Sequence, residues 1–223
     1  MQKNNTIFNC TLFFLWIFLY SCNQAETPNS KQKNSSPLSS TSNYTDSIIG
    51  KTEGSFSEIN QFIPEGYQLL DSASGDLNLD EFPDIILVLH KKGEDSIHDS
   101  PPKRLFLIMI GQKDNLFSLV ASNDNVVYNH TMGGVSNPEP FSGLEIKKGT
   151  FSVKHSGGMG SFQWEMISTF KYSVQEKNWL LFTDKKNSYN SNIKNSEETD
   201  IQTISDFGKV FFNEYDIYKN ADQ

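Results

Sequence analysis

A mainly β single domain, an antiparallel meander or sandwich with few short helices, is what this sequence predicts, on three observations. Between about Phe56 and Ser188 the apolar residues come in short runs rich in Ile, Val, Phe, Tyr and Trp, without helical spacing. Gly, Asn, Asp and Pro separate those runs at short intervals, as turns require. The stretch is also long enough for one ordinary core and too short for two.

Taken in chain order, Phe56 to Phe62 suits a short helix that the Pro64-Glu65-Gly66 break ends. Eight strands are expected: Tyr67 to Ala73, Ile85 to His90, Leu105 to Gly111, Phe117 to Ser122, Leu144 to Lys147, Thr150 to His155, Phe162 to Val174 and Trp179 to Thr183. Three tight links make hairpins: Lys113-Asp114-Asn115, Lys148-Gly149, and Gln175 to Asn178. In the seventh strand Phe162, Trp164 and Met166 share one face and Gln163 and Glu165 the other, the alternation of a half-buried strand. Residues Asn187 to Thr199 are polar and expected to be loose. Part of Ser205 to Asn213 suits a helix, and Phe207 to Tyr218 returns as a strand or packs along the domain. The domain plan is therefore 1–21 leader, 22–55 tether, 56–188 globular, and 189–223 a polar linker with a C-terminal segment packing on the domain.

The leader has Lys3, an apolar run from Ile7 to Leu19 and then Ser21, the order of a secretory signal. A run of about 13 residues is well short of the roughly 20 that cross a bilayer as a helix, so a retained membrane span is disfavoured. Only Cys10 and Cys22 are present, and Cys10 leaves with the leader. The mature chain then has no disulfide and a single thiol, a liability in an oxidising compartment. Leu19-Tyr20-Ser21-Cys22 resembles the lipobox of bacterial lipoproteins. That resemblance implies a diacylglycerol on Cys22, usually with a further acyl chain such as palmitate on its new amino terminus. At about 0.8 kcal/mol per buried methylene, several chains hold a protein to a membrane permanently. Asn23 is not the Asp that retains some lipoproteins at the inner membrane, so the outer membrane is favoured, with the domain facing the periplasm or the cell exterior. Residues 23–55 are rich in Ser, Asn, Thr, Gln and Pro, a composition that buries too little to offset its ordering entropy. As a random coil they span roughly 30 Å.

The segment Asp76-Leu77-Asn78-Leu79-Asp80-Glu81-Phe82-Pro83-Asp84 places oxygen side chains at positions 1, 3, 5 and 9. Calcium takes six to eight oxygens at about 2.3–2.6 Å, which such alternation provides, with a backbone carbonyl at Phe82 filling position 7. It is not an EF-hand: Glu81 replaces the glycine, Leu87 the final Glu, and Ile85 to Leu89 reads as a strand. The segment Gly75 to Leu89 resembles the calcium loops of FG-GAP repeats, the blades of integrin-type β-propellers. This implies a structural calcium held by Asp76, Asn78, Asp80, Phe82 and Asp84. That family often has Gly at positions 4 and 6, where Leu79 and Glu81 stand. A non-glycine in a left-handed turn costs about 1 kcal/mol. One loop is not a propeller. The combination of lipobox, polar leash and Gly-Asp-Leu-Asn-x-Asp loop also resembles uncharacterised lipoproteins of Bacteroidetes-type bacteria, which implies architecture and location only.

The remaining signals are bland. His90, His98, His130 and His155 are scattered in sequence, without zinc-ligand spacing. The run Ser156 to Ser161 lacks phosphate-loop and nucleophile-elbow patterns and reads as a glycine-rich hairpin. Asn129 to Phe141 reads first as a plain connecting loop, and its length makes it the best candidate for a binding loop. Trp164, Trp179, Phe162, Phe170, Tyr172 and Phe182 suit sheet core better than a sugar platform. A net charge of −8, or −9 without Lys3, argues against a nucleic-acid partner. The expectation is a lipid-anchored, non-enzymatic, calcium-stabilised binding or envelope-organising module; the alternative is a metal-dependent envelope hydrolase, which would need an open coordination position and a positioned base.

Overall fold

The structure, a computed structural model, describes residues 59–114 and 116–220, all within one compact unit, Thr45–Gln223. The leader, Cys22 and the tether lie outside the described residues.

Among the described residues nine strands form two antiparallel sheets, so the expected mainly β fold is what the chain adopts. The first sheet has the order β1 (Tyr67–Gly75), β2 (Asp84–Lys91), β3 (Leu105–Gly111), β4 (Phe117–Asn123). The second has β5 (Phe141–Lys147), β6 (Thr150–Met159), β7 (Phe162–Ser173), β8 (Asn178–Asn190), β9 (Glu198–Thr203). Every neighbour in each sheet is a neighbour in sequence, a pair of meanders.

The two sheets share one core. Ile86, Val88, Phe106 and Ile108 from the first meet Phe151, Val153, Met166, Phe170, Trp179 and Leu181 from the second, with Phe212 inserted among the rings. Strands β2 and β3 are apolar on both sides for a reason: their other face, Leu87, Leu89, Leu107 and Met109, is covered by Ile59, Phe62 and Ile63. These last residues belong to or cap a single 3-10 turn, Asn60–Phe62; the start of the expected helix, Phe56 to Glu58, lies outside the described residues.

Three readings need correction. Residues 187–199 are strand at both ends: β8 runs on through Asn190 and β9 starts at Glu198, leaving 191–197 as the connection, so the boundary at residue 188 falls inside a strand. Polarity misled there, because β9 is an exposed edge strand held by backbone pairing and a Thr199–Asn187 side-chain hydrogen bond rather than by apolar burial. The expected C-terminal helix shrinks to one turn, α1 (Ile204–Phe207), closed by a capping box between Thr203 and Asp206 and stopped at Gly208. Beyond it the chain packs along the domain and buries Phe212, Tyr215 and Ile217. The glycine-rich run is strand rather than hairpin loop through Met159. Its glycines permit a close crossing: a Cβ on Gly157 would lie 2.4 Å from Gly133 O, and one on Gly134 2.4 Å from Gly158 O.

Candidate functional site

The acidic loop joins β1 to β2, and its side chains are tied up by its own backbone. Asp76 Oδ1 accepts from Leu79 N (2.7 Å) and its Oδ2 from Glu81 N (3.3 Å). Asn78 Oδ1 accepts from Asp80 N (3.1 Å), and Asp80 Oδ1 from Phe82 N (2.9 Å). Asn78 also donates its amide to Asp80 Oδ2 (2.7 Å). Such short-range bonds are what Asp and Asn side chains favour in turns.

Asp84 differs from the other three because it is fully buried. Its Oδ2 accepts from Leu77 N (2.7 Å) and its Oδ1 from Gly111 N (2.9 Å), so it staples the loop to the end of β3. Gly111 is required there: a Cβ would come within 2.1 Å of the Pro83 carbonyl oxygen. Burial pushes the Asp84 carboxyl up, against the lowering effect of those two N–H groups.

Leu79 and Glu81 have φ of 68° and 73°, the left-handed conformation expected at positions 4 and 6. The strain is held from outside. Gly149, at the β5–β6 turn, donates its N–H to Asp76 O (2.8 Å), and Leu79 covers the space its missing side chain leaves, with a Cβ there only 2.7 Å from Leu79 Cδ2. Lys148 Nζ stands 3.6 Å from Asp76 Oδ2.

As a calcium donor set the loop has the right chemistry: three carboxylates, one amide oxygen and the Phe82 carbonyl, all hard oxygens. Each side-chain oxygen accepting one N–H keeps a second lone pair. Among the described residues, however, no three His, Cys, Asp or Glu side chains are gathered closely enough to grip a metal.

A second polar centre lies at the opposite end of β2, roughly 20 Å along the strand from Asp84. Arg104 is completely buried between two carboxylates. Glu94 Oε1 accepts from Arg104 Nε (3.0 Å) and Nη2 (2.6 Å); Glu139 takes Nη1 and Nη2 on its two oxygens, each at 2.6 Å. Glu94 is 1% exposed, whereas the Glu139 side chain is 44% exposed. His90 Nδ1 lies 3.3 Å from Glu94 Oε1. His155 is buried, with Nε2 accepting from Tyr128 N (3.3 Å), which leaves the proton on Nδ1. Burial, helped by the Arg104 charge, drives its pKa down to about 3. His98 and His130 meet edge to face at 5.6 Å.

Histidines scattered over 66 residues of sequence thus include two, His90 and His155, that flank Arg104 and its carboxylates. No spacing rule could have found this group, because it is closed by strand pairing and the loop before β5. Within the described residues, the buried side-chain atoms without a hydrogen-bond partner are His90 Nδ1, Glu94 Oε2, both nitrogens of His130 and His155 Nδ1. The candidate binding loop turns out to be pinned by this centre through Glu139. Of the aromatic residues, Phe170 and Trp179 are core, while Phe162 and Phe182 are 49% exposed.

No family model, curated protein or solved structure matches the chain. Among the described residues no helix is long and apolar enough to cross a membrane.

Proposed function

We propose that this chain is a lipid-anchored protein of the bacterial envelope whose β domain is a non-enzymatic binding module with one structural calcium at Asp76, Asn78, Asp80, Phe82 and Asp84. The observation that carries the calcium half is the pair Leu79 and Glu81, two bulky residues held left-handed in a loop whose carboxylates alternate. Strain of this kind persists only where the surroundings over-determine it, and it clusters at functional sites. Bound calcium would neutralise three carboxylates crowded into nine residues, the role Lys148 meets in part. The anchor half rests on Cys22 and the leader before it.

The test is a thermal melt of residues 23–223 in excess calcium and in chelator, with Asp80→Ala alongside. Calcium at about 100 times its dissociation constant adds about 2.7 kcal/mol. For a domain of this size that is a rise of roughly 5–10 °C, which the variant should lack. No rise in the unaltered chain would remove calcium from the reading. The anchor is tested separately: labelled palmitate should enter the full chain and not Cys22→Ser.

A further inference from the structure

A cleft of about 550 Å3 opens between the edge strand β4 and the β7–β8 hairpin. Its volume falls inside the roughly 300–1,000 Å3 typical of small-molecule sites. One wall is apolar, made by Ile110, Val120 and the half-buried ring of Tyr172, which leans on Trp179 at 5.1 Å. The rim is made of carboxamides, Asn78, Asn178 and Asn213, with Lys177 at the hairpin turn, and no carboxylate lines it.

Two features preorganise this surface. Asn178 Oδ1 accepts from Trp179 N (2.8 Å) while its amide donates to Asn213 Oδ1 (3.3 Å), so the pair is oriented before any ligand arrives. Val120 is the extra residue of a β-bulge, since Ile108 pairs with Ala121 and Met109 with Leu119. The bulge leaves Val120 half exposed and breaks the flat edge that an added peptide strand would need.

We propose that this cleft binds a neutral saccharide. A pyranose has one apolar C–H face and a rim of hydroxyls that both donate and accept. One apolar wall edged by carboxamides, which also do both, matches it. Asn78 belongs to the acidic loop and the cleft alike, and Trp179 Nε1 donates to Leu77 O (3.0 Å), so the loop forms part of the site's frame. The inference rests on the binding-module half of the proposed function and does not require calcium.

The experiment is a titration of the full chain, in a polyoxyethylene detergent that carries no sugar, with glucose, galactose, mannose, N-acetylglucosamine, lactose and cellobiose. Saturation-transfer NMR and tryptophan fluorescence report binding, with adenosine as the contrast. Saturable binding of at least one sugar is expected, with a dissociation constant on the order of 1 mM. The rim pair Asn178→Ala with Asn213→Ala should weaken it about 10-fold while lowering the melting temperature by no more than a few degrees. No saturable signal from any sugar, equal binding by that double variant, or tighter binding of adenosine each overturns the proposal. Running the titration in calcium and in chelator separates the two readings. Sugar binding without a calcium-dependent melt removes only the metal, and a calcium-dependent melt without sugar binding removes only the saccharide.

Discussion

The two ends of β2 solve the same problem, placing several charged groups together, in opposite ways. At the Asp84 end the acidic side chains come from nine consecutive residues and are satisfied mostly by N–H groups two to five residues away. At the Arg104 end the partners come from a turn after β2, the residue before β3 and the loop before β5, with sequence separations of 10 and 35. The local end is exposed at its tip and its side chains are satisfied mostly from within, with outside support from the Asp84 staple, Gly149, Lys148 and Trp179. The distant end is buried, and each member is costly to the others if one is removed, because charge without a partner has no water to fall back on. The difference teaches where function and stability are separable: the loop tip can change without unfolding the sandwich, whereas the Arg104 centre holds the loop before β5 to the first sheet.

Deleting one partner of the distant centre should have the largest effect. Arg104→Ala leaves the Glu94 carboxylate buried and unpaired and should cost about 3–5 kcal/mol in urea unfolding; Arg104→Met with Glu94→Gln should recover much of it, and an equal loss in the double variant would show that the charges are not coupled. Asp84→Ala strips the acceptor from two buried N–H groups, Leu77 and Gly111, for about 2–4 kcal/mol. A similar loss on Asp80→Ala in chelator would erase the contrast between buried staple and exposed tip.

His155 makes the distant end acid-sensitive. Its folded pKa, about 3, lies below the ordinary 6.5, so the unfolded chain takes up a proton that the folded one refuses. Its contribution is whole above about pH 6.5 and falls as pH drops toward about 3, by about 1.4 kcal/mol per unit, or roughly 2 kcal/mol at pH 5. Unfolding free energies across that window should show this slope, and His155→Gln should flatten it. The smallest effect belongs to the tip: Leu79→Gly or Glu81→Gly relieves a left-handed side chain and should gain up to about 1 kcal/mol in chelator. Leu79→Gly should gain less than Glu81→Gly, since Leu79 also covers Gly149.

How much of this was legible follows the same divide. The strands expected from short β-branched and aromatic runs all occur, within a few residues at their ends except β8, which runs seven further; β9 was missed, because Glu198–Thr203 carries only one large aliphatic residue and pairs on one side. The acidic loop was legible down to its left-handed positions, because Asp and Asn act on backbone only a few residues away. The Arg104 centre was not, and its sole hint was an Arg placed just before an apolar strand. Nor was the cleft, which the edge strand of one sheet, a hairpin of the other, the acidic loop and a C-terminal asparagine make together.

By itself, then, the sequence determined what depends on near neighbours: the strand-and-turn alternation and the self-bonded turns of the acidic loop. Only the tertiary structure decided which charges are buried, since burial of Arg104 and His155 depends on two sheets closing over them. It decided too that Phe212 and Tyr215 from the C-terminal segment complete the core. Periodicity records which face of an element is apolar, but what covers that face is chosen by the whole chain.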